Sequence, residues 1–178
     1  MHREQQDFCE RVKNSFPEFF KNVSVVDFGS LDINGSNCYL FEGGRYLGID
    51  IGPGKNVDLI CRAHEYNPEE QHDTVISTEM LEHDEFWEKS LEKMYEVARP
   101  GGLVFFTCAT TGRLEHGTRR TTPGDAPFVG DYYRNLTEGD VRSVWRDMDK
   151  LFSTYHFEVG PPADLRFYGI KNTEFPND

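Results

Sequence analysis

Apolar residues in this chain come in short runs, and that spacing constrains the fold more than anything else in the sequence. Residues 24–28, 46–49, 57–61, 74–77 and 103–108 are each β-branched or aromatic, and polar or helical stretches separate them. Runs of this kind suit the strands of a parallel sheet buried on both faces. Two further runs, 154–159 and 165–170, flank Gly160-Pro161-Pro162, a strong turn signal, and read as a terminal hairpin-like pair. Helical spacing alternates with the runs. Phe8, Val12 and Phe16 lie four apart ahead of Pro17. Trp87, Leu91, Met94, Tyr95 and Ala98 share one face, Glu85 and Lys89 pair on the other, and Pro100-Gly101-Gly102 stops the helix. Thr137 caps a last helix whose apolar face is Val141, Val144, Trp145, Met148, Leu151 and Phe152. The expectation is an α/β fold in a single domain over residues 1–178, entered through an N-terminal helical segment at 1–22. No low-complexity linker divides it.

Charge narrows the partners. Asp and Glu number 31 against 19 Lys and Arg, giving a net charge of -12, the wrong sign for neutralising a phosphate backbone. Nucleic acid is therefore not expected as a partner. Fourteen Phe and eight Tyr supply a core that a disordered acidic chain would lack. Cys9, Cys38, Cys61 and Cys108 form no Cys-x-x-Cys pair, and three of them sit among apolar neighbours as buried thiols do, which fits a reducing compartment. The polar amino terminus has no apolar signal region, and the apolar run at 103–109 is too short to span a bilayer. These readings place the protein in the cytoplasm, away from membranes.

Ligand-binding signals sit where the runs end. Asp27-Phe28-Gly29-Ser30 closes the first run, and a glycine there lets a ligand approach the backbone; a helix amino terminus after Asn34-Gly35-Ser36 would add unpaired N–H groups. Gly48-Ile49-Asp50 closes the second run with an acid, the place where a carboxylate meets ribose hydroxyls in dinucleotide-type folds; a structural acid or a cap is the alternative for Asp50. A nicotinamide-dependent oxidoreductase shares that logic, but the spaced three-glycine fingerprint is missing.

Asp27-Phe28-Gly29-Ser30, Gly48-Ile49-Asp50, Ser77-Thr78-Glu79-Met80-Leu81-Glu82-His83 and Ala98-Arg99-Pro100-Gly101-Gly102 stand in the order and spacing of the class I S-adenosylmethionine-dependent methyltransferases, and the chain resembles their type-11 group. The resemblance implies a Rossmann-like, mostly parallel seven-stranded sheet with its last strand antiparallel and helices on both faces. It implies S-adenosyl-L-methionine as cofactor, with Asp27, Gly29 and Ser30 bordering its methionine part, and Asp50 and Ile51 at the ribose. The Ala63 and His64 backbone would flank the adenine, with Glu79 and Met80 closing the other side. Leu31 stands where a second glycine is usual, Arg62 where an acid commonly meets the adenine, and the link from Asp50 to Val57 is short for a crossover helix.

A helix starting near Glu79 would put Glu79, Glu82 and His83 on one face. That pattern is similar to metal-dependent members of the class, so a divalent ion held by Glu79, Glu82, His83 and His116 is one expectation; helix capping is the other. Residues 110–135 are irregular and long for a connection, which marks them as a substrate lid. Within it Tyr132, Tyr133 and Arg134 are expected either at the acceptor or in aromatic packing under the loop, while Arg113, Arg119 and Arg120 form a locally basic stretch suited to an acidic group or to solvent. A sulfonium methyl needs little beyond an acceptor held in line, plus a base such as His83 or His116. The expected activity is O-methylation of a small-molecule acceptor; the alternative is an inactive module that binds the cofactor or a partner. Oligomeric state is open.

Overall fold

The computed structural model describes residues 2–173. Its sheet contains seven strands among the described residues: β1 (Ser24–Phe28), β2 (Arg45–Asp50), β3 (Leu59–Ile60), β4 (His72–Thr78), β5 (Ala98–Ala109), β6 (Phe152–Gly160) and β7 (Asp164–Lys171). They lie in the order β3-β2-β1-β4-β5-β7-β6. β1 to β5 pair in parallel, and β7 runs antiparallel between β5 and β6. Every expected run became a strand. The third shrank to two residues, because Val57 and Asp58 turn in behind the Gly52-Pro53-Gly54 segment.

Alternation along the central strands divides the core. Val25, Ile76, Leu103 and Phe105 face one side, where Phe8, Cys9 and Val12 of α1 (Arg3–Ser15) join Phe19, Phe20 and Leu40. Val26, Phe28, Val75, Val104 and Phe106 face the other, against Trp87, Leu91 and Met94 of α2 (Trp87–Val97) and Val141, Trp145 and Met148. Helices therefore cover both faces, but unequally. No α-helix follows β1 or β2; a four-residue 3-10 turn at Asn37–Leu40 stands in the first crossover, with the Ser36 hydroxyl accepting from the Cys38 N–H. The helix amino terminus expected after Ser36 is absent because the segment is built of turn formers, with Gly35, Gly43 and Gly44 at positive φ.

Helix ends moved too. α2 stops at Val97, ahead of Pro100-Gly101-Gly102, and Ala98 already belongs to β5. The buried Lys171 ammonium donates to the carbonyls of Tyr95 and Ala98, both at 2.8 Å, where a cation suits a helix carboxyl end. Glu85 precedes α2, and its ion-pair partner is Arg62 at 3.7 Å, not Lys89. The last helix is two: α3 (Glu138–Val144), capped by Thr137 with Asp140 in a capping box, and α4 (Met148–Leu151). Phe152 leaves helical geometry to start β6, yet stays buried beside Trp145 and Met148. No helix among the described residues is long and apolar enough to cross a membrane.

Candidate active site

At the carboxyl ends of β1, β2 and β4 lies a cavity of about 490 Å³. Gly29 leaves β1 at φ +81°, and a Cβ there would sit 2.6 Å from the Met80 Cβ, so glycine is required twice over. Asp27 is buried in the cavity wall. Its Oδ2 accepts from the Tyr46 hydroxyl and, at 3.2 Å, from Asn37, while its Oδ1 has no partner. Burial pushes this carboxyl up to about 7. Asp50, at the end of β2, accepts from the N–H groups of Leu31 and Gly52, both at 3.2 Å. Leu31 thus takes the second glycine's place while offering its backbone to Asp50. Ile51, Cys61, Arg62 and Ala63 continue the wall; His64 turns away and packs on Phe86, ring centroids 4.6 Å apart. The Ser30 hydroxyl donates to the Asn56 carbonyl at 2.8 Å.

Beyond β4 the chain departs from expectation. Glu79 is left-handed at φ +56°; its N–H donates to the Thr107 carbonyl at 2.8 Å, and the Thr107 hydroxyl donates to its Oε1 at 2.7 Å. These bonds prolong the β4–β5 pairing and delay the helical turn to Leu81–His83. Glu79 therefore does not share a face with Glu82 and His83. It joins His2 and Asp164, whereas Glu82, His83 and His116 form a separate cluster with ligand atoms within 4.8 Å of one another. Burial pushes Glu79 up, but the nearby His2 imidazole, the hydrogen bond from Thr107 and the charge of Arg113 outweigh it and hold it ionised. Glu82 is fully buried; burial and the Glu79 charge push it well up, and its Oε2 has no partner. Burial and neighbouring His116 lower His83 to about 4, so its imidazole is neutral near pH 7, with Nδ1 unpartnered. The His83 and His116 rings meet edge-on, centroids 4.9 Å apart.

The segment at 110–135 is pinned at both ends: Thr110 N–H donates to the Ala163 carbonyl, and Arg134 N–H to the Glu82 carbonyl, each at 2.9 Å. Residues 125–132 line the cavity, with Phe128 and Tyr132 among them. Tyr133 and Arg134 do not. The Tyr133 hydroxyl donates to Asn135 at 2.8 Å under the loop, and Arg134 pairs with Asp140 at 2.6 Å while lying over Trp87. The basic stretch is neutralised in place, Arg113 by Asp164, Arg119 by Asp131 and Arg120 by Glu115. His2 and Gln5 also line the cavity. Sequence spacing carried no signal for them, because only the packing of α1 on the sheet brings them there.

Residues 26–106 match the family model Methyltransf_11, described as a methyltransferase domain. No curated protein matches the sequence. Among solved structures, the fold is similar to Burkholderia thailandensis 1,6-didemethyltoxoflavin-N1-methyltransferase with bound 1,6-didemethyltoxoflavin and S-adenosylhomocysteine (TM-score 0.62, 15% identity, covering 92% of this chain and 76% of that one). It is also similar to the Bradyrhizobium japonicum N-methyltransferase NodS in complex with S-adenosyl-L-homocysteine (0.63, 14%, 95% and 87%). A third is the Synechocystis magnesium protoporphyrin IX methyltransferase with bound S-adenosylmethionine (0.62, 13%, 94% and 79%). At these identities the likeness is one of fold. With the motifs in register and the seven-stranded order around them, residues 26–106 of this chain carry a methyltransferase domain of the Methyltransf_11 kind.

Proposed function

We propose that the protein methylates a hydroxyl of a small-molecule acceptor seated between the cofactor and the 110–135 segment. The observation that carries this reading is the cavity itself: Asp27, Gly29 and Asp50 line one wall, and neutral His83 beside His116 lines another, beneath residues 125–132. A polar ligand fits the wall, since Asp27 Oδ1 is buried without a partner. In this reading Asp50 holds the ribose hydroxyls, Ile51 and Ala63 flank the adenine, and Met80 packs beside the reacting end. The cofactor supplies a sulfonium methyl, already electrophilic. The protein's part is to hold an acceptor oxygen in line, keep the site dry and accept the acceptor's proton. Tyr132 would touch the acceptor, and His83 or His116 would take the proton. The site's small volume and the acidic chain favour a small molecule over nucleic acid, and the free cysteines agree with a cytoplasmic setting.

The second reading adds a divalent ion. Its donors would be Glu82, His83 and His116, with unpartnered Glu82 Oε2 and His83 Nδ1 in favour, and it would lower the pKa of the acceptor hydroxyl. Glu79 is outside this set.

The test is calorimetry with S-adenosylhomocysteine, followed by methyl transfer from labelled cofactor to a panel of hydroxyl and amine acceptors, with and without chelator. Transfer to hydroxyls unaffected by chelator supports the first reading, and loss that Mg²⁺ or Mn²⁺ restores supports the second. Transfer to amines alone rejects O-methylation, and binding without transfer favours an inactive module.

A further inference from the structure

Gln5 is fully buried on α1 and lines the cavity, yet neither its amide oxygen nor its amide nitrogen has a partner among the described residues. A buried amide left in that state costs free energy that folding alone does not return. Its position is fixed from both sides along α1. His2, at the helix amino terminus, reaches Asp164 at 2.9 Å and Glu79 at 3.8 Å. Cys9, one turn further on, is buried, and its thiol is pushed up by burial and by the charges of Asp27 and Glu79. The Gln5 amide therefore sits on the helical turn that meets Glu79, in the same cavity wall as Asp27.

That wall presents unused hydrogen-bonding groups of both kinds: Asp27 Oδ1 and Gln5 Oε1 as acceptors, Gln5 Nε2 as a donor, with the His2 imidazole on the same helical turn. Acceptor and donor side by side match a zwitterion, in which an ammonium donates and a carboxylate accepts. We infer that Gln5 binds the α-amino-acid end of the adenosyl cofactor, which makes α1 a part of the cofactor site as well as a cover for the sheet. This rests on the cofactor reading above and adds a residue that none of the motifs contains.

The experiment compares S-adenosylhomocysteine with 5′-methylthioadenosine, which carries a methyl in place of the amino-acid chain. Calorimetry with wild type, Gln5→Leu and Gln5→Glu is expected to show S-adenosylhomocysteine weakened about tenfold or more in both variants, the loss of a hydrogen bond to a charged group. Methylthioadenosine binding should change less than about twofold, because it makes no such bond. Gln5→Leu removes an unpaired buried amide, so melting of the ligand-free protein should stay level or rise, whereas a purely structural glutamine would make it fall. Should the leucine variant not fold, Gln5→Glu carries the test, since its carboxylate repels that of the ligand. Equal losses for the two ligands, or none for either, would overturn the assignment. So would unchanged S-adenosylhomocysteine binding with a raised KM for the acceptor. Wild type binding neither compound would instead overturn the cofactor reading itself.

Discussion

The His2 Nε2 lies 2.9 Å from the carboxylate of Asp164, a fully buried residue at the start of β7. The first turn of α1 is thereby fastened to the far end of the chain, and Arg113 of the 110–135 segment reaches the same carboxylate at 2.6 Å. One buried acid holds both covers of the cavity.

The carboxylates of Asp164, at 2.9 Å, and Glu79, at 3.8 Å, raise His2 to about 9 from an ordinary 6.5. A raised pKa means the tie contributes fully below about pH 6.5 and is lost as pH rises through about 9. Denaturation of wild type and His2→Gln should show a wild-type advantage that fades over that interval. An advantage that stays constant to pH 10 would rule out the charged tie.

Asp27 works against stability in the neutral range. Burial raises it to about 7 against 3.8 in an unfolded chain, so the favourable protonated state is complete below about pH 4 and is lost as pH climbs through about 7. Asp27→Asn, whose side-chain oxygen can still accept from Tyr46 and Asn37, should gain on wild type by at most about 4 kcal/mol between pH 4 and 8. Thermal melts across that range check it, and a pH-independent difference would contradict it.

Gly29→Ala combines a left-handed backbone with a collision at Met80. It should cost roughly 1–3 kcal/mol in unfolding experiments and also weaken S-adenosylhomocysteine, because Met80 must move within the cavity. A variant as stable as wild type would show that the loop relaxes freely.

Asp50→Asn should weaken S-adenosylhomocysteine and methylthioadenosine alike, by about tenfold or more, since both carry the ribose. This parallel loss is the reverse of the pattern expected for Gln5. Unchanged affinities would remove Asp50 from the ribose.

Much of this was legible before any coordinates. Seven apolar runs became seven strands because each is bounded by turn formers, and Gly29 and Asp50 stand at strand ends where ligands gather. The α-helix expected after Ser36 is a short 3-10 turn, because local turn chemistry outweighed the polar-helical reading of the segment. Glu79 left the ligand set at 79–83 for a different reason: the Thr107 bonds that turn it left-handed come from a neighbouring strand, and residue spacing does not carry that information, whereas Glu82, His83 and His116 do meet. Tyr133 and Arg134 do not line the cavity: Tyr133 bonds to Asn135 within the segment, and exposed Arg134 pairs with Asp140. His2 and Gln5 depend on how α1 lies across the sheet, a contact between distant parts of the chain.

β7 sits between two older strands, and this sets the order in which a nascent chain becomes a functional protein. Translation completes β5, α3 and β6 before Asp164 to Lys171 leave the ribosome. Until then His2 and Arg113 lack their shared carboxylate, and α2 lacks the ammonium at its carboxyl end. A growing chain can collapse its aromatic core early, but the cavity walls cannot be locked until β7 threads in. A product truncated before β7 would therefore carry the glycine and acid motifs of β1, β2 and β4 and still have no latched site.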